Sequence, residues 1–238
     1  MNVKQRGKKI DIFIVMIALL TVTVAISGVS FARYTTTAGT GDPDNARVAK
    51  WGFVIDVDAD GMFADGSGTA NVTPDPNGLS VASEYTELFP NTEGTLLFSV
   101  CGNAAVAARI SFVIPEDLEI ICLKNAEGEV VYDPILWTLT KNGEEVVTRG
   151  DLAAIRAALP ELTVSANQDV NDSYELKWEW IFERGDTEQD KAGNNEYDTI
   201  LAKYKADPVA NPLPGGYTAI LSFPFRMTID VSQIQPSE

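Results

Sequence analysis

The sequence predicts an all-β protein, an antiparallel β-sandwich with two short peripheral helices. From Val48 onward, short apolar alternations are separated by clusters of Gly, Pro, Asn and Asp, as in chains of short strands. Two late segments, SYELKWEWIFE and YTAILSFPFRMTIDV, alternate large apolar and polar side chains with a period of two. Because the periodic apolar residues lie in strands, we expect the core to form between sheets rather than between helices.

Residues 1–32 are predicted to be an export signal outside the folded domain. Four Lys and Arg side chains precede an apolar run at residues 12–26, which is shorter than the roughly 20 residues of a spanning helix. Ser30 and Ala32 supply the small side chains that a signal peptidase requires, so cleavage is expected between Ala32 and Arg33. An uncleaved membrane anchor is the alternative. In both cases the remainder works outside the cytoplasm, secreted, at the cell surface or in an extracellular matrix.

The chain is strongly acidic, with a formal net charge of −16. The signal segment is itself net positive, so the part that follows it is more acidic still. Such a surface repels nucleic acid and anionic membranes. We therefore expect no nucleic-acid partner, and contact with a membrane only through the signal segment before cleavage.

Histidine is absent from the whole chain. This excludes nucleophiles activated by histidine and zinc sites that depend on imidazole. The two cysteines are too few for a four-thiolate zinc site. Hydrolases based on a carboxylate pair remain open, but no pair of acids is marked out as catalytic. The sequence therefore predicts a protein that is not an enzyme.

Residues 33–44 are predicted to be a flexible or extended arm, because they are rich in Thr, Gly and Asp and poor in large apolar side chains. The β-sandwich domain is predicted to span residues 45–238. Its first clear strand is WGFVIDVDAD, in which alternation assigns two sets of side chains to opposite faces: Ile55, Val57 and Ala59, and Asp56, Asp58 and Asp60.

The middle of the domain contains two near-continuous apolar runs, TLLFSV and AARISFVI, which are typical of strands inside a sheet. Further on, Asn142-Gly143 lies between two strand-like runs. This dipeptide predicts a tight hairpin turn there.

The two late strands carry the aromatic residues that we expect to fill the core. The inward sets are Tyr174, Leu176, Trp178, Trp180 and Phe182 in the first, and Tyr217, Ala219, Leu221, Phe223, Phe225, Met227, Ile229 and Val231 in the second. Pro224 interrupts the second segment and cannot donate a backbone hydrogen bond. It therefore predicts a free edge or a bulge at that point.

Two helices are predicted outside the strands. RGDLAAIRAALPEL has Asp151 as a capping residue and ends at Pro160. NNEYDTILAKYKAD places apolar residues at helical spacing from Tyr197 to Tyr204. Both lie beside the strands rather than in the core.

Two candidate sites remain open in the sequence. Asp56, Asp58 and Asp60 occupy positions 1, 3 and 5 of a stretch that begins like the calcium loop of a helix–loop–helix site. However, position 12, which should be an acidic ligand, is Ser67, and the flanking sequence is typical of strands rather than helices. Calcium is the one cofactor considered, and a solvated acidic face is the alternative. Cys101 and Cys122 are either a disulfide between strands or two free buried thiols.

Six segments, in chain order, resemble the TasA/camelysin family of exported proteins, which a SipW-type signal peptidase processes in Gram-positive spore-formers and their relatives. The segments are SFARYTTTA, ARVAKWG, LFPNTEGTLLFSVCGNAAVAARISF, KWEWIFERGD, EYDTILAKY and FRMTIDVSQIQ. The resemblance implies a jelly-roll-like sandwich and a SipW-type signal peptidase as partner.

The same resemblance implies a structural protein of the cell surface or biofilm matrix. Its subunits would associate with one another, or with related matrix proteins, when the arm of one subunit adds a strand to the next and a fibre grows. A surface adhesin or carbohydrate-binding module is the alternative, and it would require exposed aromatic side chains. A camelysin-like peptidase ranks third, because the chain has no histidine.

Overall fold

The structure, a computed structural model, describes residues 35–36, 45–50, 52–63, 68–75, 78–85 and 90–234. Its strands are β1 (Thr35–Thr36), β2 (Asn45–Lys50), β3 (Phe53–Asp58), β4 (Gly68–Asp75), β5 (Gly78–Tyr85), β6 (Thr92–Gly102), β7 (Ala108–Val113), β8 (Cys122–Lys124), β9 (Val130–Tyr132), β10 (Ile135–Lys141), β11 (Glu144–Gly150), β12 (Leu162–Val164), β13 (Val170–Trp180), β14 (Thr218–Ile220) and β15 (Arg226–Gln233). Its helices are a 3-10 turn (Asp60–Phe63), α1 (Leu152–Ala158) and α2 (Glu188–Ala206).

The strands form three antiparallel sheets, which confirms the predicted all-β sandwich. The first has seven strands in the order β1-β2-β3-β6-β13-β10-β11, and the second has five in the order β12-β7-β15-β5-β4. A small third sheet has the order β14-β8-β9. The apolar runs predicted as inner strands are β6 and β7, and both have neighbours on each side.

The core lies between the two large sheets and is filled by stacked aromatic rings. Trp137 of β10 stacks on Phe225 with ring centroids 5.4 Å apart, and Trp178 of β13 lies 5.0 Å from Phe223. The Trp178 indole donates a hydrogen bond from Nε1 to the carbonyl oxygen of Met62 at 3.1 Å. Trp178 is thus fixed both by packing and by its one polar atom.

Gly94 on β6 makes this arrangement possible. A Cβ atom at this position would lie 2.0 Å from the Met62 carbonyl oxygen and 2.5 Å from Nε1 of Trp178. Any side chain would therefore displace the 3-10 turn from the tryptophan. Gly94 is required because the backbone of Met62 lies too close for a Cβ atom, not because Gly94 has an unusual φ angle.

Phe182 was predicted to lie inside with the other aromatic residues of its segment, and this is wrong. Strand β13 ends at Trp180, and Phe182 lies in the following turn with 45% of its surface exposed. Its backbone N–H donates to Oδ1 of Asn91 at 3.4 Å. Alternation with a period of two no longer indicates which side chains are buried once the chain has left the paired strand β13.

The last aromatic segment is not one strand but two. Strands β14 and β15 belong to different sheets, and the break between them surrounds Pro224. The N–H of Phe225 donates to the carbonyl oxygen of Phe223 at 3.0 Å, which closes a three-residue turn over the proline. The free edge or bulge predicted at Pro224 within one strand is therefore wrong, because the proline lies in a break that transfers the chain from the third sheet to the second.

Both predicted helices are present, and α2 begins earlier than the sequence indicated. Oδ1 of Asp151 accepts the N–H of Ala154 at 2.7 Å and caps α1. Helix α2 begins with a capping box formed by Thr187 and Asp190. Neither helix in the described ranges is long and apolar enough to cross a bilayer.

The hairpin turn predicted at Asn142-Gly143 joins β10 to β11. Both residues have positive φ angles, 52° and 83°, as expected for this dipeptide in a tight hairpin turn. The Asn142 side chain extends the turn to a third strand, because its Oδ1 accepts the backbone N–H of Ser173 at 2.8 Å. The turn is thereby joined to β13, which already pairs with β10 over seven residues.

Candidate functional site

The first candidate site is the outer edge of β2 in the seven-stranded sheet. Strand β2 pairs with β3 along all six of its residues, from Asn45 opposite Asp58 to Lys50 opposite Phe53. On its other side, β1 pairs only with Val48 and Ala49. Among the described residues, Asn45 to Arg47 have no partner on that side, and the residues that continue the arm after Thr36 lie outside the described part.

The other sheet edges carry features that discourage pairing with a further strand. Strand β11 has two register shifts against β10 and a positive φ of 52° at Arg149. Strand β4 contains Pro74, which cannot donate to a ladder. Strands β9, β12 and β14 have three residues each. Among the described strands, the β2 edge is thus the one best suited to accept another strand.

Thr35 and Thr36, from the predicted arm, lie on this edge in antiparallel register. Thr35 is opposite Ala49, and Thr36 is opposite Val48. The arm was predicted to be flexible or extended, and these two residues are extended and paired within their own chain. The rest of residues 33–44 lies outside the described residues. The β2 edge therefore accepts arm backbone in this register.

The second candidate is the calcium site at Asp56, Asp58 and Asp60. Asp56 and Asp58 lie half-buried on the side of β3 opposite Ile55 and Val57, as alternation predicted. Oδ1 of Asp58 accepts the N–H of Asp60 at 3.0 Å, which is a local turn contact. In the residues that the structure describes, no three acidic or thiol side chains are grouped closely enough to hold a metal ion. Residues 64–67 of the loop lie outside that part, and calcium stays a prediction.

Cys101 and Cys122 are free thiols in the structure. Cys101 lies on β6 of the seven-stranded sheet and donates from Sγ to Oδ1 of Asn171 at 3.1 Å. Cys122 lies on β8 of the third sheet, where burial raises the pKa of its thiol. Of the two alternatives left open by the sequence, the structure has the free thiols. A raised pKa keeps Cys122 protonated and poorly nucleophilic.

Ala32 and Arg33, the predicted cleavage residues, lie outside the described residues. Cleavage between them therefore stays a prediction.

A third site, which the sequence analysis did not identify, is a polar cluster around Asp198 of α2. This aspartate is only 2% exposed. Its Oδ1 accepts two hydrogen bonds, from the Tyr132 hydroxyl at 2.6 Å and from Nε1 of Trp180 at 2.8 Å. Tyr132 ends β9 and Trp180 ends β13, so one carboxyl group connects the helix to two different sheets.

Arg184 and Asp133 border this cluster. The Arg184 guanidinium donates from Nη1 to the backbone carbonyl oxygen of Asp133 at 2.6 Å. Oδ1 of Asp133 accepts the N–H of Ile135 at 3.0 Å. Burial raises the pKa of Asp133 to about 6, although the nearby Arg184 acts in the opposite direction. Burial also raises the pKa of Asp198 against the same opposing charge.

Comparison of this chain with protein-family models, curated proteins and solved structures found no match. Its function must therefore be argued from the sites themselves.

The Asp198 cluster had one signal in the sequence. Asp198 stands among Tyr197, Ile200 and Leu201, on a helix whose apolar residues point to a single packed side. An acid inside such a stripe is expected to have buried partners. The partners themselves are far away along the chain, so their identity could not be read from helical spacing.

Proposed function

We propose that this protein is an exported structural component of the cell surface or biofilm matrix, and that it forms fibres by strand addition through its N-terminal arm. The observation that carries the proposal is the β2 edge, on which the described arm residues Thr35 and Thr36 pair in antiparallel register. The function is not enzymatic. The predicted export signal, the acidic composition and the absence of histidine all agree with a matrix role.

Strand exchange between subunits at such an edge requires little change in free energy. Within one subunit, the described arm residues Thr35 and Thr36 pair with β2. When the arm of a neighbour takes the same place, those backbone pairs are replaced by identical ones between chains, as in domain swapping. The balance between the two states then depends on protein concentration, and repeated exchange joins subunits head to tail into an open filament.

The resemblance to the TasA/camelysin family supports this proposal from the sequence side. It adds a jelly-roll-like topology for the sandwich, a SipW-type signal peptidase as processing partner, and self-association or related matrix proteins as binding partners. The Thr-rich composition of residues 35–37 suits an added strand, because β-branched side chains favour extended backbone.

A disulfide that locks the arm to its own sheet should prevent assembly. Thr35 and Ala49 are directly opposite. Opposed antiparallel positions have Cα atoms about 4.5–5.5 Å apart, within the range that a disulfide spans. We expect the variant Thr35→Cys with Ala49→Cys, in a Cys101→Ser and Cys122→Ala background, to form an intramolecular bond and stay monomeric when oxidised. Reduction should restore assembly, as measured by light scattering and electron microscopy.

The matched control pairs Thr35→Cys with Asn45→Cys, four residues further along β2 and about 13 Å from Ala49. Oxidation of this control should produce no intramolecular bond and should leave assembly unchanged. If the locked variant assembles as well when oxidised as when reduced, the arm does not exchange and the proposed mechanism is wrong.

The predicted export signal leads to a separate prediction about the N-terminal residue of the secreted protein. N-terminal sequencing of secreted material should begin at Arg33, because Ser30 and Ala32 provide the small side chains next to the scissile bond. Replacing Ala32 with a bulky residue, such as Ala32→Trp, should leave the protein in the membrane fraction. Secreted protein that begins at Met1 or within residues 12–26 would contradict the predicted site.

A further inference from the structure

A polar cavity lies where β6 begins and where β11 and β13 end. Its volume is about 270 Å³, and it is lined by residues 91–93, Arg149 and residues 179–181. This volume is slightly below the range of about 300–1,000 Å³ that is usual for drug-sized ligands, so the cavity suits a single ring-sized unit. The proposed assembly does not involve this cavity, because β3 separates β2 from β6 in the sheet.

An irregular backbone on β11 directs Arg149 into the cavity. The strand has register shifts against β10, and the φ angle of Arg149 is 52°. Its guanidinium donates from Nε to Oε1 of Glu179 at 2.9 Å, although β10 lies between β11 and β13. A second lining residue, Asn91, also has a positive φ angle, of 69°. Bulges that redirect side chains and strained backbone angles are both common beside binding sites.

The charged side chains at the cavity form a continuous row of ion pairs. Glu93 and Glu179 are directly opposite each other on β6 and β13. Nζ of Lys177 lies 2.6 Å from Oε2 of Glu93 and 3.9 Å from Oε2 of Glu179, which also pairs with Arg149. Two positive and two negative side chains thus compensate one another. A charged ligand would have to compete with these pairs, so the row favours a neutral ligand.

A hydroxyl group fits this row without displacing any of the pairs. It donates to a carboxylate oxygen and accepts from a guanidinium N–H, and both hydrogen bonds are strengthened by the charge of the protein group. The side chains of Arg149 and Glu93 are 61% and 63% exposed, so a ligand can reach them. Glu179 is only 15% exposed and holds the Arg149 guanidinium in place before a ligand arrives.

Phe182 is the exposed aromatic residue that immediately follows the lining residues 179–181. It is 45% exposed, and its backbone N–H donates to Oδ1 of Asn91 at 3.4 Å. An exposed aromatic residue was the feature that a carbohydrate-binding role required, and the inward position predicted for Phe182 had removed it. The structure restores it next to a cavity with neutral, hydroxyl-binding character.

We propose that this cavity binds one neutral sugar ring, with Glu93 and Glu179 as hydrogen-bond acceptors and Arg149 as a donor. Each hydroxyl group on a sugar ring is both a donor and an acceptor, and neighbouring hydroxyl groups match a guanidinium held beside carboxylates. The proposal adds a class of ligand to the matrix role and does not rest on strand addition.

Saturation-transfer difference NMR of the purified secreted protein tests the site. The probes are the methyl glycosides of glucose, galactose and mannose, together with N-acetylglucosamine. We expect saturable binding of at least one probe, with a Kd on the order of 1 mM for a single ring. Glucuronate, an anionic sugar of similar size, should bind at least tenfold more weakly. No saturable signal from any neutral probe, or glucuronate binding as tight as the best of them, would overturn the proposal.

Two substitutions locate the binding in the cavity. Glu179→Gln removes a charged acceptor, and Arg149→Lys keeps the charge but loses the planar set of donors. Each should weaken binding of the best probe about tenfold or more, as for the loss of a charge-assisted hydrogen bond. Glu175→Gln is the matched control, because it lies on the same strand opposite Leu97, and it should keep the original Kd. If Glu179→Gln fails to fold, the exposed Arg149 still decides. Unchanged binding in Arg149→Lys would refute the site.

The outcome is distinguishable from that of the assembly experiments. The cavity residues belong to β6, β11 and β13, whereas strand addition uses β2. Variants at Arg149 and Glu179 should therefore assemble normally. Sugar binding by a protein that forms no fibres would refute strand addition and keep the site, and fibres that bind none of the neutral probes would do the reverse.

Discussion

Trp178→Ala is expected to lower the free energy of unfolding by about 3–5 kcal/mol, the usual cost of removing a large aromatic side chain from a packed core. Trp178 is 1% exposed and contacts Phe63 and Phe223. Its loss also leaves the Met62 carbonyl oxygen without the indole donor. Denaturation in guanidinium, followed by circular dichroism, measures the change.

Phe182→Ala is the matched control, because it removes an aromatic side chain from the same segment at an exposed position. We expect it to change the free energy of unfolding by about 0.5 kcal/mol or less. Comparable losses in the two variants would mean that the aromatic packing between the sheets is not what stabilises the domain.

Deletion of residues 33–44 should abolish or strongly slow self-association and leave the sandwich folded. The deletion removes β1 and with it the two pairs opposite Val48 and Ala49, but β2 keeps its six-residue pairing with β3. We expect the free energy of unfolding to fall by less than about 1 kcal/mol, as for a short terminal strand. Sedimentation velocity and electron microscopy of the purified protein measure assembly.

The effects of the arm deletion and of Trp178→Ala on the free energy of unfolding can be compared directly. If removal of the arm destabilises the domain as much as Trp178→Ala, the arm is an integral strand of its own sheet and cannot be released to a neighbour. If the shortened protein still forms fibres, the subunits associate through another surface. Either result would exclude strand addition by the arm.

The sequence predicted the parts of the fold that depend on local patterns. Period-two alternation located β3, β13 and β15 with their buried faces, and Asn142-Gly143 located the hairpin turn. It failed at Phe182, because alternation does not show where a strand ends. It could not show that β14 and β15 belong to different sheets, since that depends on which strands pair across the whole chain.

The candidate sites were less predictable for the same reason. The Asp198 cluster joins groups from β9, β13 and α2, and residues 132 and 198 are far apart along the chain. The β2 edge depends on which strands pair with β2, and a sequence pattern contains no information about pairing between strands. The two cysteines gave no spacing signal, and their separation into different sheets became visible only in the fold.

The pairing of β6 with β13 affects the order in which the protein folds. These strands pair over eleven residues at the centre of the seven-stranded sheet, although β6 ends at Gly102 and β13 begins only at Val170. A contact so distant along the chain requires closure of a long loop, so it is expected to form late and slowly, after the local β10–β11 hairpin. If the protein is exported as proposed, a chain translocated from its N-terminus exposes the unpaired β6, with Leu96, Phe98 and Val100, until β13 has crossed the membrane. During that interval an unpaired apolar strand of this length favours aggregation, and in an exported chain we expect a chaperone at the site of export to bind it.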